Sequence, residues 1–468
     1  MRFLFTTLQF EESDFYGRVA QGLVERGHEV AHVAMSNRAA RSMRRAGFPA
    51  WAFPDTMREV GEGDRVALEA ARVEARYGLG SLREAYLCDP ACRGRPEDWC
   101  VRRTLRHFRA LERVLDDFRP DVVVPEVGSE TMRTAAHLIG RDRGASVLFL
   151  FYTIFPRPLR LCADTPQAPI LSDEQIRPLR DGERDEVEAF IRSVIEPDRP
   201  IMPHRRPVVN RETLRDLGRH VAVRLLFERD NDYLTPSRYV LGYAAQRARR
   251  SLAARLYEPA EGARPFVYFP LHVTDDFKVK RLIPHCADQE YLIRQVAEAL
   301  PQGHDLVLKE HPVAIGRTPV RMLRRLARIH NVRIVDPHVG SQGLIDRSAA
   351  VAVISSTVGL EALLHAKPVL TMGAPFYSGY GVTLDIDSFR EIRRAVPELL
   401  DFRPDRERIL QFLHAAMRST YPGAPFGADA SDENARTVAA SLDTAARRLR
   451  GGRPPEAVAA SPCALASS

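Results

Sequence analysis

Two short motifs between Asp305 and Gly373 hold the side chains best suited to chemistry. Lys309-Glu310-His311-Pro312 closes one apolar run, and Ser355-Ser356-Thr357-Val358-Gly359-Leu360-Glu361-Ala362 closes another. A hydroxyl-rich turn running into a helix suits a phosphate. The first-turn N–H groups are unpaired there, and the helix dipole adds about half a positive charge. Ser355, Ser356 and Thr357 can complete such a cradle, and Gly359 lets a backbone or ligand come close. The same residues also read as an ordinary Ser/Thr helix cap, and both readings stand at this stage. Glu361 falls in the first turn, where it can accept hydrogen bonds from a ribose or simply favour the dipole.

His311 precedes Pro312, which holds it out of helical geometry. Its imidazole can donate to a phosphate oxygen or a leaving group, or serve structure alone. Lys309 and Glu310 beside it are costly to bury unpaired. His272 ends the apolar run Tyr268–Leu271 and could line the same edge. No glycine-rich loop follows it, which argues against a P-loop or dinucleotide fold. In the first half, Glu11, Glu12 and Asp14 follow one apolar run, and Glu126 and Glu130 follow Asp121–Pro125. A carboxylate in a cleft can take the proton of an acceptor hydroxyl. Glu126 is the first candidate for that role and Asp14 the second. The plainer reading for each is a solvated loop or helix-start acid.

These residues need strands to hold them. Apolar runs at 2–8, 28–35, 121–125 and 147–152, separated by helical spacings, predict a parallel sheet in the first half. Runs at 266–271, 305–309, 332–335, 351–354 and 369–372 predict a second one, with five strands and four crossovers. The motifs then fall at strand C-termini, the edge where open α/β sheets bind ligands. Between the halves, 155–264 is rich in Pro and charge, with helical spacing near 181–195, 211–227 and 237–256. The expected architecture is α/β, two Rossmann-like domains of GT-B type with a Pro-rich, partly helical middle segment. The expected bounds are 1–155 (acceptor side), 156–264 (insertion and linker), 265–450 (nucleotide-sugar binding) and a disordered tail, 451–468.

A chain of 468 residues exceeds one ordinary core. Its +7 net charge is modest, and no nucleic-acid motif accompanies it. No apolar run approaches the ~20 residues that span a membrane, and the start is too short for a signal sequence. These features predict a cytoplasmic protein, with peripheral contact at the inner membrane face as an option. Cys88, Cys92 and Cys100, with His107 beyond, lack paired Cys-x-x-Cys knuckles, so thiols rather than a zinc site are expected.

At these residues the chain resembles the capsule polysaccharide biosynthesis family, which includes capsular Kdo transferases. The resemblance runs from about Pro265 to Tyr380. It rests on Phe269-Pro270-Leu271-His272, Asp288-Gln289, Lys309-Glu310-His311-Pro312, the Ser355–Ala362 stretch and Lys367-Pro368-Val369. The His-Pro and Ser-Ser pairs are also similar to those of bacterial GT-B sialyltransferases. The resemblance implies a CMP-activated sugar, with His311 on the phosphate and Ser355 and Ser356 on the phosphate or ribose. It implies donor-side places for His272, Lys309, Glu310, Pro312, Thr357, Gly359 and Glu361. The acidic residue usual in these families is missing from Phe151-Tyr152-Thr153-Ile154.

The expected activity is therefore a glycosyltransferase with no metal and no cofactor beyond its nucleotide-sugar donor. The donor would be CMP-linked, Kdo-like or sialic-like. Its partners would be a glycan or glycolipid acceptor, with contact to a membrane or capsule assembly complex, and no nucleic acid. The rivals are a UDP-sugar epimerase of the same fold and a non-catalytic capsule assembly or export component.

Overall fold

The computed structural model describes residues 1–61, 63–171, 175–195, 236–262, 264–274, 276–311 and 314–451, with positions 218, 222 and 226. The helical spacing at 211–227 and the 451–468 tail thus lie largely outside the described residues, as does Pro312.

The first sheet contains β1 (Arg2–Thr7), β2 (Glu29–Ala34), β3 (Ala50–Ala52), β4 (Val122–Val124), β5 (Ser146–Tyr152) and β6 (Leu159–Ala163), in the order β3-β2-β1-β4-β5-β6. The first five are parallel, as their fully buried apolar runs require. β6 runs antiparallel to β5, pairing Phe151 with Arg160. The sequence reading assigns that stretch to the insertion, because its prolines at 156 and 158 mask a five-residue strand.

The second sheet contains β7 (Phe266–Pro270), β8 (Asp305–Lys309), β9 (Val332–Val335), β10 (Ala350–Val353), β11 (Val369–Thr371) and β12 (Leu384–Asp385). Its order is β12-β11-β10-β7-β8-β9, all parallel. β12 is a sixth strand beyond the five expected. Both sheets have the doubly wound order, so each reverses direction beside its first strand. In the first sheet the reversal lies between β1 and β4, in the second between β7 and β10. Ligands of open α/β sheets bind outside the strand ends at such points.

Separate apolar clusters cover the two faces of each sheet. The helix Asp181–Ile195 buries Val187, Phe190, Ile191 and Val194 in the second domain's core, so this part of the middle segment is not a free linker. The last helix, Asp432–Arg450, crosses back to the first domain. Ala435, Val438, Ala439 and Leu442 pack with Phe15, Val19 and Leu23 there. Gly22 makes the approach possible: a Cβ would stand 2.8 Å from that of Ala439. His28 Nε2 meets Asp443 Oδ1 at 2.7 Å and fixes the register. The return of this helix is not visible from local spacing.

Candidate functional site

The second sheet's reversal point is closed by a side chain. Gln289 clamps the His272 backbone, its Oε1 accepting the His272 N–H (2.9 Å) and its Nε2 donating to the His272 carbonyl (3.3 Å). So held, His272 crosses from the end of β7 to the end of β10, where its Nε2 accepts the Ser355 backbone N–H at 3.1 Å. An accepting Nε2 places the imidazole proton on Nδ1. Burial pushes the His272 pKa down to about 4; Asp276 opposes this, and the charges of Lys278 and His311 add to it. The ring is neutral at physiological pH. His311 is half-buried at the end of β8, close enough for its charge to bear on His272, and its carbonyl accepts the Ala314 N–H (2.7 Å). His272, His311 and Ser355 thus meet at one edge.

The helix after β10 runs Thr357–Leu364. Ser356 is its cap, its Oγ accepting the Val358 N–H at 3.2 Å. The capping reading therefore holds for Ser356, while Ser355 and Thr357 line a cleft between the two domains. Gly359 serves a neighbour: a Cβ would lie 2.8 Å from Tyr377 Cζ, and the Tyr377 hydroxyl donates to the Ser356 carbonyl. Glu361 is buried and accepts from Gln342 Nε2 (2.9 Å), whose Oε1 meets His365 Nε2 at 2.6 Å. Burial raises its pKa to about 7, partly offset by the Lys309 charge. Lys309 Nζ donates to the Val339 carbonyl (2.7 Å) and Ser341 Oγ (2.6 Å), and burial lowers its pKa to about 8. Lys309 and Glu361 thus support the strand ends from inside.

Glu310 departs from the expectation. It is fully buried, accepts from the Tyr257 hydroxyl and has Thr318 beside it. In an extended segment successive side chains alternate sides, which turns Glu310 into the interior while its neighbour His311 reaches the edge.

In the first domain the reversal point gathers carboxylates around one arginine. Arg133 Nη2 donates to Glu12 Oε1 (2.6 Å) and Nη1 to the Val127 carbonyl (2.9 Å), with Glu130 Oε2 at 3.5 Å. Glu12 Oε2 also accepts the Leu8 N–H at 2.7 Å. Glu126 follows β4 in the left-handed region, φ 58°, a strained conformation for a residue with a Cβ. Burial pushes its carboxyl up to about 7; Arg133 opposes the shift, and Glu12 and Glu130 reinforce it. Asp14 is corrected by the structure. It sits on the exposed face of the helix Phe10–Val24, paired with Arg18 at 2.7 Å, because helical spacing turns it away from the neighbouring Glu12. Sequence reasoning names Glu12 and Glu130 for their positions just past strands but ranks Glu126 and Asp14 ahead of them, and it misses Arg133.

The cleft itself is walled by Phe151, Tyr152, Thr153 and Arg160 of the first domain and by Lys278, Ser355, Thr357, Gly373 and Tyr377 of the second, among others. Arg281 Nη1 donates to Thr134 Oγ1 (2.6 Å) and Gln167 Nε2 to the Leu282 carbonyl (2.8 Å), tying the domains together. Among the described residues, no group of three His, Cys, Asp or Glu side chains could hold a metal ion. Cys88, Cys92 and Cys100 are buried and in no disulfide.

Residues 202–415 match a family model described as capsule polysaccharide biosynthesis protein. The matched region takes in β7 to β12, with the His272, His311 and Ser355 edge inside it. The chain is 30% identical over 165 residues to protein FixF of Sinorhizobium fredii, which covers 34% of this chain and 39% of FixF. It is 32% identical over 107 residues to the capsule polysaccharide modification protein LipA of Neisseria meningitidis serogroup B, covering 23% of this chain and 15% of LipA. The matches therefore span less than half of these relatives. Among solved structures, the beta Kdo 2,4 transferase KpsC of Thermosulfurimonas dismutans aligns at 18% identity with a TM-score of 0.32, covering 63% of this chain and 78% of that one. No described helix is long and apolar enough to cross a membrane.

Proposed function

We propose that this chain is a glycosyltransferase of capsule or surface polysaccharide synthesis. It takes a sugar from a nucleotide-linked donor, CMP-linked and Kdo-like or sialic-like, and moves it to a glycan or lipid-linked acceptor. The observation that carries the reading is the pairing of two reversal points. One presents His311, Ser355 and a helix N-terminus, groups that favour a departing phosphate. The other presents Glu126, a carboxyl held near neutrality. The match of residues 202–415 to the capsule polysaccharide biosynthesis model supports the same reading.

In this mechanism Glu126, as carboxylate, takes the proton of the acceptor hydroxyl. The acceptor oxygen then bonds to the anomeric carbon while the bond from that carbon to the donor phosphate oxygen breaks. The electron pair leaves with the nucleotide, and His311, the Ser355 hydroxyl and the helix dipole stabilise its growing charge. No metal is assigned a part.

Calorimetric titration with CMP, and UDP as comparator, tests the donor. CMP binding that is lost in His311→Ala, with the fold intact, supports the reading. Undiminished turnover in that variant would sink the role of His311. The chain is also 31% identical over 116 residues to the capsule polysaccharide export protein KpsS of Escherichia coli, which favours a non-catalytic export role as the second reading. That role predicts binding of neither nucleotide.

A further inference from the structure

Two cations enter the interdomain cleft from opposite domains. Arg160 comes from β6 and is 7% exposed. Its guanidinium lies 4.8 Å from the Phe376 ring centroid and 5.4 Å from that of Phe151. Nη2 donates to the Ala168 carbonyl, but Nε is buried with no acceptor. Lys278 comes from the segment after β7, and its ammonium stands 5.3 Å from the same Phe151 centroid. Both line the cleft, together with Ser355, Thr357 and Tyr377. Among the described residues, neither makes an ion pair with a carboxylate. Asp276 Oδ1 accepts the Lys278 backbone N–H at 2.9 Å instead.

Two positive charges that face one cleft without an ion-pair partner, one buried and one half-buried, raise the energy of the fold that holds them. Aromatic faces offset part of this. Burial lowers the Lys278 pKa; Asp276 opposes the shift, and the Arg160 charge adds to it. Lysine is also rare in this chain. Only four of its 68 basic residues are lysines, at 278, 280, 309 and 367, all between β7 and β11. The cleft is open to solvent on one side, and its narrow inner part has room for a few waters or one oxyanion group.

We propose that Arg160 and Lys278 form an oxyanion site bridging the two domains, in which a phosphate or carboxylate of the ligand sits between the guanidinium and the ammonium. The proposal rests on the sugar-nucleotide reading only for which ligand brings the oxyanion. Binding there neutralises a repulsion across the domain boundary and so couples ligand capture to closure of the cleft.

The test uses the full chain, Arg160→Gln and Lys278→Gln, with inorganic phosphate, CMP and glucuronate as probes in thermal unfolding and calorimetry. Without ligand, Lys278→Gln melts no lower than wild type, because the charge that Arg160 opposes is gone. Phosphate raises the wild-type melting temperature, and either variant weakens that binding at least tenfold. A parallel loss of CMP affinity identifies the nucleotide phosphate as the source. Loss of glucuronate binding with CMP affinity intact identifies a sugar carboxylate. Phosphate binding that depends on both cations, in a wild type that binds neither CMP nor UDP, supports the site and sinks the sugar-nucleotide reading. The proposal is overturned if wild type binds none of the probes, if both variants bind them all as wild type does, or if unliganded Lys278→Gln melts well below wild type.

Discussion

His272 Nε2 accepts the Ser355 backbone N–H across the reversal point of the second sheet, at 3.1 Å. One imidazole thereby joins the ends of β7 and β10 and fixes how Ser355 faces the cleft. Replacing His272 by Ala leaves that N–H without its partner, and we expect a loss of about 1–3 kcal/mol in urea unfolding. His272→Asn, whose side-chain carbonyl can accept, recovers part of it. The pH dependence follows from the depressed pKa. The unfolded ring titrates near ~6.5 and the folded one at about 4, so the unfolded state holds more protons between them. The contribution of His272 is complete above the unfolded value and is lost as pH falls through the folded one. Equal wild-type and H272A slopes across that window would contradict this.

Glu126 has the opposite sign. Its folded pKa, about 7, lies above the unfolded value near ~4.3, so the folded state holds the extra proton. The favourable contribution is present at low pH and is lost as pH rises through 7. Glu126→Gln is therefore more stable than wild type at pH 8, by about 3–4 kcal/mol, and the gain vanishes below the unfolded value. If Glu126 is also the base, kcat/KM rises with pH to a plateau with an apparent pKa near 7, and E126Q removes both the rise and the activity. A stable E126Q enzyme with the wild-type profile would remove Glu126 from catalysis.

The alternation of apolar runs with helical spacing made both sheets legible, because parallel strands buried on both faces read as continuous Val, Ile and Leu. His272, His311 and Ser355 were legible because each stands within two residues of the end of such a run. Glu310 and Asp14 failed for one physical reason: which way a side chain points depends on strand and helix phase, which a one-residue error inverts. The partnership of Gly359 with Tyr377 and the place of Arg160 and Lys278 beside one Phe151 ring join residues that local spacing does not connect, and only tertiary packing brings them together. The scarcity of lysine is the one sequence signal that singles out Lys278.

Gly359→Ala tests the packing behind Ser356. The added Cβ would press into the Tyr377 ring, 2.8 Å from Cζ, and displace the hydroxyl that holds the Ser356 carbonyl. Overpacking of this kind costs about 1–3 kcal/mol. The two residues share one contact, so G359A combined with Y377F should cost less than the sum of the single variants. Additive losses in chemical denaturation would show that the ring moves aside freely.

Asp89 carries the last prediction, because it holds in place the helix that bears Arg133. Its Oδ2 accepts from Arg103 Nη1 (2.9 Å), the Thr131 N–H (2.9 Å) and Thr131 Oγ1 (2.6 Å), and its Oδ1 accepts the Ala91 N–H (2.8 Å). Arg103 is 1% exposed and Asp89 2%, so neither charge has water to fall back on. The Cys88 to Cys92 loop is thus pinned by an ion pair at the start of the helix Thr131–Asp142. Asp89→Ala takes the carboxylate away from the buried guanidinium and should cost about 3–5 kcal/mol. Asp89→Ala combined with Arg103→Met removes both charges and should recover much of that loss. If the double variant is no more stable than D89A, the Thr131 and Ala91 hydrogen bonds, rather than the ion pair, hold the helix start that aims Arg133 at Glu12.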